Sequence, residues 1–209
     1  MGFIGTRKQM IDKYGVFVKN ITKGTGIFPA TVFIQMITES SRFMTVNGKR
    51  VNMVGGSKLS REANNFFGIK GYKPAWKGEV YRINTTEQDK YGNEYTEYSS
   101  PFRKYATVED SIKDYIKLIT NSRYKSYGVT TAGSVKQQFE ALKRAGYFTA
   151  QGYVNLAVQL NNELKDQIAA IPDTKLTDKR NLLPALALLL GLLYIGNEYE
   201  LHKKIMKWI

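Results

Sequence analysis

Residues 57–70 read Ser57-Lys58-Leu59-Ser60-Arg61-Glu62-Ala63-Asn64-Asn65-Phe66-Phe67-Gly68-Ile69-Lys70. The text on either side of this run has two different periods. Toward the N-terminus the apolar residues recur at helical spacing. Met10, Ile11, Tyr14, Phe17, Val18 and Ile21 predict a helix over 7–22, ended by Gly24 and Gly26. Pro29 suits the first turn of a second helix over about 29–41, with Phe33, Ile34 and Ile37 on its apolar stripe and Glu39 near its C-terminal end. Residues 44–61 are polar and carry Asn47-Gly48 and Gly55-Gly56, the signature of a long loop or a small hairpin insertion.

Toward the C-terminus, residues 79–105 predict β structure. Val80, Tyr81 and Ile83 form one strand, Tyr91-Gly92-Asn93-Glu94 a turn, and Tyr95 to Tyr105 the return. Helices resume after Thr107, which with Asp110 resembles a capping box, and Ile112, Tyr115, Ile116 and Ile119 form the buried face. Ser134 caps a further helix that Gly146 closes, and a last helix over about 151–169 ends before Pro172. The order of helices, small β lobe and helices gives an α+β class, with a cleft expected between helical body and lobe.

The chain has 209 residues, 31 Lys+Arg against 18 Asp+Glu, a formal charge of +13, no Cys and a single His, His202. Disulfides, thiolate metal sites and a Cys nucleophile are excluded, and a Ser-His-Asp triad or a multi-His metal centre is disfavoured. Chemistry on this chain falls to carboxylates, Tyr or Lys. The charge points to an anionic partner: a wall polymer, an acidic membrane face or nucleic acid. No nucleic-acid motif accompanies it, so no nucleic-acid partner is expected. A basic surface that only keeps the chain soluble is the plain alternative.

The 57–70 run does not stand alone. It follows Glu39-Ser40 and precedes Trp76-Lys77-Gly78, Thr85-Thr86-Glu87, Pro101-Phe102-Arg103-Lys104-Tyr105, Asp114-Tyr115 and Gly146-Tyr147. In this order the motifs, from about Arg7 to Ile168, resemble the glucosaminidase domain of glycoside hydrolase family 73, which includes flagellar and autolytic peptidoglycan hydrolases. The resemblance implies a lysozyme-like α+β fold, a helical body with a small β lobe forming a cleft. It also implies endo-hydrolysis of the GlcNAc-β-1,4-MurNAc bond of peptidoglycan glycan strands, with no cofactor and no metal. Two departures stand out. Where the family has Glu-Ser-Gly, an aromatic and Gly, this chain has Glu39-Ser40-Ser41-Arg42-Phe43, and about a dozen extra residues precede Ser57. Where the family has Gly-Tyr-Ala-Thr-Asp, it has Gly146-Tyr147-Phe148-Thr149-Ala150.

Cleaving a glycoside needs a proton for the leaving oxygen and stabilisation of an oxocarbenium-like centre, commonly from two carboxyl groups. By position alone Glu39 is either a solvated surface residue or a carboxyl whose protonated form is favoured by the helix C-terminus and an apolar surround. The resemblance assigns it the general acid. It places the second carboxylate at Glu87, after Thr85-Thr86, with Asp89, Glu94 and Glu97 as neighbouring candidates; the substrate's own 2-acetamido group is the alternative nucleophile. Tyr147 matches the family's active-site Tyr. Asn64, Asn65, Phe67 and Gly68 are candidates for the cleft floor, where the amides bond sugar hydroxyls or satisfy backbone. Tyr72 and Trp76 either stack on sugar faces or pack in the core. Arg103 is read as pinning the lobe.

Residues 1–172 are thus the expected catalytic domain, 173–180 a polar linker and 181–209 an apolar helix. Asn181 to Asn197 carries no charge, and the 14 residues from Leu182 to Ile195 would span roughly 21 Å as a helix, short of a bilayer core of about 30 Å. Lys179, Arg180, Lys203, Lys204, Lys207 and Trp208 flank the run as at a membrane boundary. Membrane anchoring and packing on a protein surface are the two readings. Arg7, Lys8 and Asp12 follow Phe3-Ile4 at once, so no signal peptide is expected. The expectation is action at the bacterial cell wall or periplasm, with tail anchoring or delivery by a phage. The competing functions are a wall-binding or phage structural module without turnover, and a membrane-perturbing protein acting through its tail.

Overall fold

The computed structural model describes residues 2–88 and 93–173, with only the backbone described at Glu87 and Gln88. The chain separates into two units, 1–172 and 173–209, and the elements below belong to the first. The expected linker and apolar helix lie outside the described residues, apart from Asp173. Among the described residues no helix is long and apolar enough to cross a membrane.

The helical body is built on α1 (Arg7–Thr22) and α2 (Pro29–Ser40), with α4 (Val108–Ile119), α6 (Val135–Arg144) and α7 (Tyr153–Ala169). Between α4 and α6 lie the short α5 (Ser122–Ser126) and a 3-10 turn (Val129–Thr131), neither of which the periodicity announces. Helix α2 packs against α1, α6 and α7, and all its residues are buried except Pro29, Thr38 and Glu39, which are half-buried. Its starting proline lacks the N–H that a first turn leaves unpaired, so nothing is lost by burying that end.

Two separate antiparallel hairpins complete the fold: β1 (Arg42–Val46) with β2 (Lys49–Met53), and β3 (Val80–Gln88) with β4 (Glu94–Arg103). The second is the expected β lobe, with a register shift between Ile83 and Thr85. The polar stretch 44–61 is the hairpin rather than the long loop, and it continues into α3 (Lys58–Ala63), capped by Ser57 Oγ accepting from the Ser60 N–H. Six residues are too few to show a helical period in the sequence.

Asn65 joins body to lobe. It is 1 % exposed, and its carboxamide is fully used: Nδ2 donates to the carbonyls of Ile69 and Arg103 at 2.9 Å each, and Oδ1 accepts from the N–H groups of Phe67 (3.3 Å) and Ile69 (3.1 Å). Asn64 ends α3 in the left-handed conformation (φ 50°), with Nδ2 donating to the carbonyls of Tyr105 and Ala106. Arg103 makes a 2.6 Å ion pair with Asp114 of α4, and the Tyr105 hydroxyl donates to the same carboxylate oxygen at 2.6 Å. The reading of Arg103 as the residue that pins the lobe describes this geometry.

Asn65→Ala should lose about 3 kcal/mol, since it strands buried backbone groups at about 1–3 kcal/mol for each left unpaired. Denaturant unfolding measures it; a loss under about 1 kcal/mol would show that the loop is held by other means.

Candidate active site

Glu39 sits in the last turn of α2, where a core helix meets solvent. The next residue fixes that end. Ser40 is fully buried; its hydroxyl donates to the Met36 carbonyl at 2.5 Å and accepts from the Gly55 N–H at 3.0 Å, while its own carbonyl accepts from the Ser57 N–H at 2.9 Å. The Glu-Ser pair is therefore a carboxylate beside its own clamp.

One turn and two turns back on the same face stand Gln35 and Thr31, both fully buried among the apolar residues of the helix. The Tyr153 hydroxyl, from the first residue of α7, lies 2.7 Å from Gln35 Oε1 and 2.7 Å from Glu39 Oε1. It has one proton for two acceptors. A protonated Glu39 can donate to the Tyr153 oxygen, which then donates to Gln35; an ionised Glu39 receives the tyrosine proton instead. Turning the Gln35 amide over would let its N–H serve the tyrosine oxygen in that second state. The arrangement accommodates both forms that a proton donor must adopt.

Three tyrosines surround the carboxyl. Burial pushes the hydroxyls of Tyr115, Tyr147 and Tyr153 well above the ordinary tyrosine value, and the Glu39 charge raises each further. All three are therefore neutral around Glu39. Tyr147 follows Gly146 (φ 75°) in the turn closing α6, where the Tyr147 N–H bonds the Leu142 carbonyl and the Gly146 N–H bonds the Lys143 carbonyl. Its hydroxyl donates to the Phe67 carbonyl at 3.0 Å. Phe67 is buried and stacks on Tyr115, ring centroids 4.2 Å apart. Gly68 (φ 64°) turns toward the acid: a Cβ there would stand 3.7 Å from Glu39 Oε2. Thr31 Oγ1, Gln35 Nε2 and the Tyr115 hydroxyl are buried without a hydrogen-bond partner among the described residues.

The structure thus brings together Glu39, Tyr147, Phe67 and Gly68. Asn64 and Asn65 stand behind them with their amides given to backbone. Tyr72 and Trp76 are placed by the lobe. Tyr72 is 51 % exposed and its hydroxyl donates to Glu97 Oε1 at 2.6 Å. Trp76 is half-buried, donates from Nε1 to the Glu79 carbonyl, and lies under the Arg103 guanidinium at 4.7 Å. Glu87 pairs with Tyr95 across the hairpin; its side chain lies outside the described residues, as does Asp89. Glu97 is committed elsewhere, with Lys70 Nζ at 2.9 Å on its second oxygen. Lys70 ends the 57–70 run, so the motif's last residue neutralises a lobe carboxylate. Among the described residues no three acids or histidines converge on a common point.

Tyr153 and Gln35, both in contact around Glu39, are positions that the sequence did not single out. The signal existed at Gln35, a polar residue one turn before Glu39 on a buried stripe. Tyr153 looks like any apolar position of α7, and only the packing of α7 on α2 reveals it.

The hydrogen bond from Tyr72, and then Lys70, hold the Glu97 carboxyl below its ordinary value. A depressed folded pKa gives stability above the unfolded value of about 4.3 that is lost as pH falls through the folded one. Glu97→Gln should therefore lower the melting temperature by a few degrees at most at pH 7, since the pair is partly solvated, with the gap narrowing as pH falls below the unfolded value. A gap that persists in acid would assign the effect to packing.

Comparisons with known proteins place the chain in a family. The family model for mannosyl-glycoprotein endo-beta-N-acetylglucosaminidase matches residues 16–166. The peptidoglycan hydrolase FlgJ of Salmonella typhimurium is 34 % identical over 119 residues, 56 % of this chain and 36 % of FlgJ. The exo-glucosaminidase LytG of Bacillus subtilis is 30 % identical over 163 residues, 73 % of this chain and 52 % of LytG. The chain therefore spans between about a third and about half of these relatives. The truncated glycoside hydrolase domain of the Salmonella FlgJ superposes with a TM-score of 0.53 at 27 % identity, over 77 % of this chain and 99 % of that domain.

Proposed function

Because the chain belongs to the glucosaminidase family, we propose that it is a peptidoglycan hydrolase, an endo-β-N-acetylglucosaminidase that cleaves GlcNAc-β-1,4-MurNAc linkages with Glu39 as general acid. The observation that carries this is the 2.7 Å contact of Glu39 with Tyr153, itself 2.7 Å from Gln35, in the half-buried last turn of α2. A carboxyl that must give up a proton and take another each turnover needs partners that hold both forms in one place.

In this reading the protonated Glu39 gives its proton to the glycosidic oxygen as the bond to the anomeric carbon breaks, and the Tyr153 hydroxyl turns to the new carboxylate. Tyr147, Phe67 and Gly68 shape the surface against which the reacting sugar rests. Gly68 leaves open the space before Glu39 Oε2 that a side chain would fill. Glu87 is the second carboxylate, a choice supported by the engagement of both Glu97 oxygens with Tyr72 and Lys70. Tyr72 and Trp76 offer aromatic faces on the lobe for the outer sugars. No cofactor is called for. Residues 1–172 form the catalytic domain, and the apolar run from Leu182 to Ile195 holds the chain to a membrane surface at the cell wall.

Glu39→Gln keeps the shape and removes the proton. Release of reducing ends from purified wall should fall at least about 100-fold, the usual scale for acid catalysis, with the melting curve retained. Activity within a few-fold of the parent would remove Glu39 from the role, and a parent that releases no reducing ends would leave a wall-binding module. Mass analysis of the muropeptides separates internal cleavage from removal of terminal sugars.

Glu87→Gln should cripple turnover more than Glu94→Gln or Glu97→Gln. The reverse ranking moves the role along the hairpin, and a mild effect from all three assigns the nucleophile to the 2-acetamido group. A chain of residues 1–172 should fold and cleave but no longer sediment with liposomes. Unchanged sedimentation with a sharply lower melting temperature would make the tail part of the fold.

A further inference from the structure

The hairpin β1–β2 occupies the segment in which this chain departs from the family pattern, and nothing in the reaction above uses it. It begins two residues past Ser40, and its far end returns to the same serine through the Gly55 and Ser57 N–H groups. Both its ends are thus tied to the residue beside the acid. Five residues per strand carry its tip about 15 Å from that anchor.

Its two faces differ. Paired residues share a face, so Arg42, Met44, Val46, Lys49, Val51 and Met53 lie on one side, and Phe43, Thr45, Arg50 and Asn52 on the other. The first face is turned toward the body: Met44, Val51 and Met53 are half-buried, and a Cβ at Gly56 would meet Met44 Sδ at 3.2 Å. On the second face every residue is exposed, Phe43 at 61 %. A pleated strand that buries its apolar side is commonly polar on the other, and here that side presents a phenylalanine to solvent. The Arg50 guanidinium lies 4.7 Å over that ring. A guanidinium stacked on an aromatic ring can still pair with a carboxylate through its N–H edge. From Arg42 to Met53 there are three cations and no acid. Among the described residues neither Lys49 nor Arg50 has an ion-pair partner, and the Arg42 Nη1 goes to the Ser41 carbonyl.

A polymer cut at Glu39 continues past the acid in both directions. We propose that the β1–β2 hairpin is a substrate arm whose outer face, Phe43 with Arg50, takes the carboxylates of the peptide stems carried by the glycan strand. This rests on the hydrolase reading above, which supplies the strand. The charge is complementary: Arg50 is the one charged residue on the outer face, and the polymer's stems end in carboxylates.

The test uses the full chain as E39Q, to prevent digestion, pelleted with purified sacculi free of teichoic acid. One sample keeps its peptide stems and the other is stripped of them by an amidase. Adding R50A or F43A should weaken retention on stem-bearing sacculi, R50A by about tenfold, the scale of one charge-assisted pair. On stripped sacculi R50A should stay within about twofold, and on stem-bearing sacculi its effect should shrink in high salt. R50E should weaken stem-bearing retention more than R50A. Equal retention of all variants, or an equal R50A loss on both substrates, overturns the proposal. Reducing-end release by the chain with Glu39 intact reports the hydrolase reading separately. Arg50-dependent retention without reducing ends defeats hydrolysis and keeps the arm; reducing ends with Arg50-independent retention do the opposite.

Discussion

The carboxamide of Asn65 is the constraint on which the site depends. Its four backbone bonds hold residues 65–69 in a tight loop and bind that loop to the end of β4 at Arg103. Every element facing Glu39 from that side hangs on it. The loop stacks the Phe67 ring on Tyr115, aims the Phe67 carbonyl at the Tyr147 hydroxyl, and brings Gly68 opposite the acid. The preference of a buried amide for full satisfaction explains why the most specific run of the sequence makes structure, and shapes the site by doing so.

The opposite wall is governed by α2. A helix buried on nearly all sides excludes polar residues unless they are bonded. Yet Thr31, Gln35 and Glu39 form a polar stripe along it, and Thr31 Oγ1 and Gln35 Nε2 find no partner among the described residues. Such buried groups oppose stability. Gln35 Oε1 stands 2.7 Å from the Tyr153 oxygen. The tyrosines around Glu39, kept neutral by burial, add donors without adding charge.

The helices were legible because their apolar residues keep a 3.6 period, and Ser134, Thr107 and Gly146 mark their ends as side-chain and glycine caps. Helix α3 and the short turns around 122–131 were not, since a single turn of helix carries no period. At the site, Glu39, Tyr147 and the Asn-Asn run were visible as text, but their division of labour was not. Whether an asparagine bonds sugar or backbone depends on burial, and burial is a property of the packed chain. Tyr153 is 114 residues from Glu39, and no local pattern announces a contact made by two helices crossing.

Conservation of geometry and freedom to vary meet at Ser40. Its hydroxyl closes the last turn of α2 on the Met36 carbonyl, and it receives the Gly55 N–H on the far side of the inserted hairpin. The insertion is thereby shorted across its base. The base of the twelve-residue segment from Arg42 to Met53 is held by the buried serine, which takes the Gly55 and Ser57 N–H groups, and by the paired backbone of Val54 and Gly5. Because α2 is held independently by α1, α6 and α7, the hairpin can gain length, charge or an exposed phenylalanine without moving the acid.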